Sequence, residues 1–157
     1  MTGGSKAWRT AVSATLHCLT GCAIGEVLGL VIGTAVGLPD GWTIALAVVL
    51  AFIFGYSLSI APLLRAGLTV AAALPIALAA DTLSIATMEI VDNVVMMAVP
   101  GAMDAGLGDI LFWATMALAL AVAFAAALPV NWYLLRRGLG HALMHVHHHE
   151  EHSDHEH

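Results

Sequence analysis

Two thiols and a carboxylate recur every four residues near the start of the chain, as Cys18, Cys22 and Glu26. Because four residues advance an α-helix by roughly 400°, the three side chains form one slowly drifting stripe on a helix. Thiolates are the ligands that Cu(I) and Zn(II) prefer, and a carboxylate adds charge or a proton site. Buried cysteines are also common as small packing residues, but a glutamate within an apolar helix is costly in hydrocarbon and therefore predicts a functional site.

A second group of acids lies in one later apolar stretch, at Asp81, Glu89 and Asp92. Helical spacing places Asp81, Met88 and Asp92 on one face, with Glu89 beside it. No Lys or Arg falls inside a predicted span, so these acids must be protonated, hydrated or paired with a bound cation. The alternative is a protonated hydrogen-bond network with neighbouring hydroxyl and amide groups. We predict a metal site from both groups, with the candidate ligands Cys18, Cys22, Glu26, Met88, Glu89, Asp92, His17 and Asp81.

Cu(I) is the ion that this set favours, with Zn(II) as second choice, because two thiols are combined with the thioether of Met88. The methionines that follow, Met96, Met97 and Met103, are interpreted as apolar packing residues.

The end of the chain is a polar tail, 141–157, in which histidines are interspersed with acids. Short His-rich tracts bind metal ions loosely, so the tail is a second predicted metal site; the alternative is a solvated segment without a ligand. Its candidate ligands are His141, His145, His147, His148, His149, His152, His155 and His157.

The composition requires a membrane. Of the 157 residues, 60% are hydrophobic and 10% charged, whereas a soluble domain carries about 25% charged residues. The predicted spans are 12–38, 43–60, 80–99 and 110–135, and Pro75 suggests a separate interfacial helix over 69–79. We therefore expect an all-α, integral membrane four-helix bundle within 1–140, followed by the tail. We expect this bundle to be surrounded by the lipid bilayer. Nothing in the sequence resembles a nucleic-acid-binding surface.

Glycines recur at four-residue spacing one position before the thiol–carboxylate stripe. A stripe without side chains lets another backbone approach closely, as in glycine-zipper packing. We expect it to join the first and third helices, or two copies of the chain in a homo-oligomer. This glycine ladder consists of Gly21, Gly25, Gly29, Gly33 and Gly37.

Two sequence blocks carry a resemblance to a known family. The pattern His-Cys-x-x-Gly-Cys-x-x-Gly-Glu at 17–26 and the acidic block at 80–93 resemble a family of small bacterial membrane proteins of unknown function. Shorter matches follow at 100–107 and 129–131. The resemblance implies a four-helix inner-membrane protein. Some members of that family are linked to copper-associated domains, so it also favours a metal.

These observations favour metal-ion binding or transport, most simply of copper. A membrane redox subunit that uses the two cysteines is an alternative, and a structural partner of another membrane protein is a third. No phosphate loop, nucleotide fingerprint or Ser-His-Asp arrangement is present, so the sequence offers no argument for an enzyme.

The distribution of positive charge predicts the orientation. All five basic residues fall on one side of a four-span arrangement, so both termini are expected in the cytoplasm of a bacterial inner membrane. These residues are Lys6, Arg9, Arg65, Arg136 and Arg137.

The orientation is tested by labelling with a membrane-impermeant thiol reagent. Cysteines introduced as Asp40→Cys or Asp104→Cys should react from the periplasm, whereas Ser5→Cys should not. Labelling of Asp40→Cys only from the cytoplasmic side would contradict the topology.

Overall fold

The computed structural model describes residues 2–136, and these residues form four long helices. They are α1 (Thr2–Val36), α2 (Asp40–Arg65), α3 (Val70–Ala98) and α4 (Ile110–Arg136). No strand occurs within the described part, and each helix is long and apolar enough to cross a membrane. The predicted all-α membrane bundle is therefore confirmed. The tail predicted to bind metal and the basic residue Arg137 lie outside the described residues.

The helices form a ring in chain order. Each packs against the next, and α4 packs back against α1. The connections 37–39 and 66–69 are short, which makes consecutive helices antiparallel neighbours. As a result, α1 and α3 lie diagonally across the ring and meet at its centre.

The glycine ladder packs against α2, so the expectation that it joins the first and third helices is wrong. A methyl group built on Gly21 would lie 2.6 Å from the Cα atom of Gly55, and one on Gly25 would overlap the Ala51 backbone. The same relation pairs the next two glycines with Ala47 and Thr43. Since α2 carries a small residue at every fourth position, it complements the ladder, and the short connection brings it alongside.

The last glycine of the ladder has a different role from the others. Gly37 has a φ of 74°, and nothing lies within 4 Å of a Cβ atom built there. The Leu38 amide donates to the Gly33 carbonyl at 2.8 Å, the pattern of a helix that ends on a left-handed glycine. The prediction that Gly37 packs against another helix is therefore wrong.

The third span is one continuous helix, and the predicted interfacial helix over 69–79 with a separate span over 80–99 is wrong. α3 runs through Pro75 without a break. Proline removes only the hydrogen bond to the Ala71 carbonyl, a loss that membrane helices tolerate where neighbouring helices cover the backbone. The 29 residues of α3 span about 43 Å at 1.5 Å per residue. This exceeds a hydrocarbon core of about 30 Å, and tilt or penetration of the headgroup region accommodates the excess.

Small residues form much of the buried core, and many of the large apolar residues face outward. The buried residues of α4 include a second ladder at four-residue spacing, whereas Val36, Ile90 and Ile110 are exposed. This distribution suits helices that pack closely in a surrounding lipid phase. The members of the α4 ladder are Thr115, Ala119, Ala123, Ala127 and Asn131.

The glycine ladder yields a test of the packing. We expect Gly25→Leu to destabilise the bundle by more than about 3 kcal/mol, because overpacking against a backbone cannot be relieved by side-chain rotation. Thermal unfolding in detergent measures the change. The matched control is Gly41→Leu, since nothing lies within 4 Å of a Cβ atom there. Equal stability of the two variants would contradict the close contact.

Candidate functional site

Six thiol and carboxylic acid side chains from α1 and α3 are buried in the interior of the bundle. Glu26, the most exposed of them, exposes 6% of its surface. We call this set the acid–thiol face. Its members are Cys18, Cys22 and Glu26 of α1 and Asp81, Glu89 and Asp92 of α3.

The glycine ladder explains why the stripe on α1 faces inward. Cys22 follows Gly21, and Glu26 follows Gly25, so these two members of the stripe each lie one residue, or about 100°, around the helix from a glycine. Because the glycines are held against α2, the next position turns toward the centre of the ring. There it meets α3, which lies diagonally opposite.

The acid–thiol face is arranged as three pairs. The Cys18 thiol donates to Asp81 Oδ1 at 3.8 Å. Farther along both helices, Cys22 lies beside Glu89. Glu26 lies beside Asp92 in the third pair. Residue numbers rise together on α1 and α3, so the pairs lie at successive depths along the bundle.

Four of the eight carboxyl oxygens on this face lack partners in the described structure. Glu26 Oε2, both Glu89 side-chain oxygens and Asp92 Oδ1 are buried without a hydrogen bond in the described structure. The arginines that the structure describes are exposed: Arg9, Arg65 and Arg136. Buried polar groups normally have partners, so these four oxygens are free to accept hydrogen bonds.

A small cavity lies against the third pair. Its volume is about 50 Å³, and its lining includes Glu26, Glu89 and Asp92. We call it the carboxyl cavity. A cavity with more than about 10–15 Å³ of accessible space and several polar groups has room for water. Its apolar lining includes three thioethers, those of Met96, Met103 and Met116.

A larger cavity lies at the other end of the acid–thiol face. It has a volume of about 250 Å³ and is enclosed by α1, α2 and α3. Among the described residues that line it, Asp81 is the single carboxylate, and His17 and Arg65 are also part of the lining. We call it the vestibule. The face therefore extends from the vestibule at Asp81 to the carboxyl cavity at Asp92.

The structure places seven of the eight predicted ligands in the interior, since Met88 is buried among the six members of the face. The exception is His17. Its side chain is exposed, with Nδ1 2.9 Å from the Ser13 carbonyl oxygen, so it lies outside the acid–thiol face, and its role as a metal ligand stays a prediction. His17 instead lines the vestibule.

The predicted ligands do not form a closed metal centre. Within residues 2–136, no three His, Cys, Asp or Glu side chains converge in a geometry that could hold a metal ion. Soft ions are commonly held by two to four ligands that converge on one point. The described arrangement is a series of pairs, and a metal role for these residues stays a prediction.

Sequence reasoning missed several polar residues of the interior. Ser59 of α2 lies beside Cys18 and Asp81. On α4, Asn131 donates to the Thr15 hydroxyl at 2.8 Å. A search for ladders at four-residue spacing would have found Asn131, because it ends the α4 ladder, but no sequence signal distinguishes Ser59.

Comparison with known proteins identifies a family to which no function is assigned. A family model described as Domain of unknown function (DUF4396) matches residues 7–140. The comparison with curated proteins and the comparison with solved structures each gave no match.

The unpaired state of Glu89 predicts a gain in stability when it is replaced. We expect Glu89→Met to stabilise the bundle by about 1–3 kcal/mol, because it removes a buried polar group that has no hydrogen bond. Asn131→Leu is the control and should destabilise it by a similar amount, since that amide has a partner. Thermal unfolding in detergent gives both values. A loss of stability in Glu89→Met would mean that this carboxyl is paired in the folded protein.

Proposed function

This chain belongs to the family Domain of unknown function (DUF4396), and we propose that it is a multi-pass membrane protein that moves a soft metal cation across the bilayer along the acid–thiol face. The observation that supports this proposal is the row of buried thiols and acids between two cavities, with no buried basic side chain among the residues that the structure describes. Such a face is costly inside a membrane unless positive charge compensates it.

The order of the side chains suits a cation that passes from one end to the other. From the vestibule it would meet Asp81 and Cys18, then Cys22 and Glu89, and then the carboxyl cavity. Thioethers are also part of the lining of that cavity. Two thiols and several thioethers favour Cu(I) over Mg²⁺ or Ca²⁺, which take six or more oxygen ligands.

The absence of a closed centre within the described residues is consistent with transport rather than storage. A conducted ion must bind well enough to enter and weakly enough to leave, which favours several incomplete sites over one complete site. When no metal is bound, protons supply the positive charge, because thiols and acids release protons when they coordinate a metal.

We place the vestibule on the cytoplasmic side of a bacterial inner membrane. The supporting observation is that the vestibule includes Arg65, and that Lys6 and Arg9 lie near the start of α1 and Arg136 at the end of α4, on the same side. The tail would then collect metal ions close to the vestibule, since α4 ends at Arg136 on that side.

Metal stoichiometry tests the proposal. Truncation after Gly140 keeps the whole family-matched region, and we expect it to lower the copper capacity while leaving one tight Cu(I) site. Combining Cys18→Ala with Cys22→Ala should abolish that site. In the truncated protein that keeps both cysteines, the affinity for Cu(I) should fall as the pH falls, because protons compete for the thiols. Met97→Ala is the control, since Met97 is 63% exposed.

An equal copper content with and without the two cysteines would contradict the proposal. If thiol titration before and after an oxidant then showed reversible oxidation of both cysteines, the redox alternative would be favoured.

A further inference from the structure

We infer that the vestibule receives its metal cation as a complex with a small anionic thiol and not as a bare ion. This inference rests on the proposed function and specifies the form of its substrate. It is carried by three properties of the vestibule: its volume, the opposite charges at its two ends, and the thiol that lies directly behind its carboxylate.

The vestibule is too large for a single ion. Its volume is about 250 Å³, whereas one water molecule occupies about 30 Å³ in the liquid. The lining also contains apolar side chains, among them Leu58, Pro62 and Ile76. Apolar side chains make no favourable contact with a hydrated ion, but the methylene groups of an organic carrier can pack against them.

The charges of the vestibule suit a ligand with two unlike ends. Asp81 is 5% exposed, so its carboxylate forms the inner end, which attracts a cation. Arg65 is exposed and ends α2, so its guanidinium is the positive group at the outer end. A guanidinium binds a carboxylate through two parallel hydrogen bonds. A carrier with its carboxylate at Arg65 and its metal toward Asp81 would match both ends.

Cys18 completes the arrangement, because its thiol donates a hydrogen bond to Asp81 Oδ1. In the transfer step, a bond forms between the metal and Cys18 Sγ while the bond between the metal and the carrier's sulfur breaks. The proton of the Cys18 thiol passes to the released carrier thiolate, with Asp81 between the two sulfurs. The metal keeps its oxidation state, so no electron donor or acceptor is needed.

The test compares two sources of Cu(I) on the full-length protein in a nonionic detergent, which supplies no anionic lipid headgroup. One source is the glutathione complex, an anionic thiolate. The other is the acetonitrile complex, which has neutral ligands and no carboxylate. Arg65→Gln should slow transfer from the glutathione complex about tenfold, as expected for loss of a charge-assisted hydrogen bond. It should leave transfer from the acetonitrile complex unchanged.

Two further variants make the result specific. Arg65→Lys should restore only part of the rate, since lysine keeps the charge but not the planar pair of donors. Arg9→Gln removes another exposed arginine that does not line the vestibule, and it should change neither rate. Equal rates for Arg65→Gln and wild type, or equal slowing with both sources, would overturn the inference. Failure of the wild type to take up Cu(I) from either source would instead overturn the proposed function.

Discussion

The direct contact between the backbones of α1 and α2 determines the orientation of everything else on α1. At Gly21, Gly25 and Gly29 the backbone of α1 lies directly against that of α2, and at Gly33 it meets the Thr43 side chain. Close van der Waals contact therefore replaces most of the side-chain interlocking of ordinary helix pairs. Such a contact tolerates little rotation of α1 about its own axis. The neighbouring positions therefore have a fixed direction, and Cys22 and Glu26 face α3 across the centre of the ring.

Placing the acids in the interior reduces a large energetic cost without removing it. Insertion scales assign about 2.5–3.5 kcal/mol to an aspartate at the centre of a membrane helix, and the face contains Glu26, Asp81, Glu89 and Asp92. Facing the bundle, these groups can meet thiols, hydroxyls and water instead of acyl chains. Closely packed small residues elsewhere, such as the α4 ladder, provide dispersion contacts that offset part of this cost.

The sequence predicts the number of helices, the inward stripe on α1 and the acidic face of α3, because each depends on local periodicity within one helix. It does not predict which helices are neighbours. The glycine ladder of α1 could pack against any of the other helices, and in the structure it packs against α2. Nothing in the periodicity of α1 alone distinguishes α2 from α3 as its partner. Pro75 was misleading because a break in local propensity is compensated by tertiary packing. Ser59 was missed because a single serine in an apolar helix has no pattern around it, and its role depends on Cys18 and Asp81 from other helices.

The antiparallel match between α1 and α2 has one more consequence. Both partners repeat every four residues, with glycines on α1 facing Thr43, Ala47, Ala51 and Gly55 on α2. A periodic contact of this kind is degenerate along its axis, since a displacement of about 6 Å, four residues at 1.5 Å each, brings equally small residues together again. The ladder thus sets the distance between the helices much more firmly than their relative height. The height is set at Gly37, where the helix ends and the chain turns directly into α2. The connection at 37–39 therefore fixes the height of α1 relative to α2, whereas the adjoining glycine ladder fixes the distance between them.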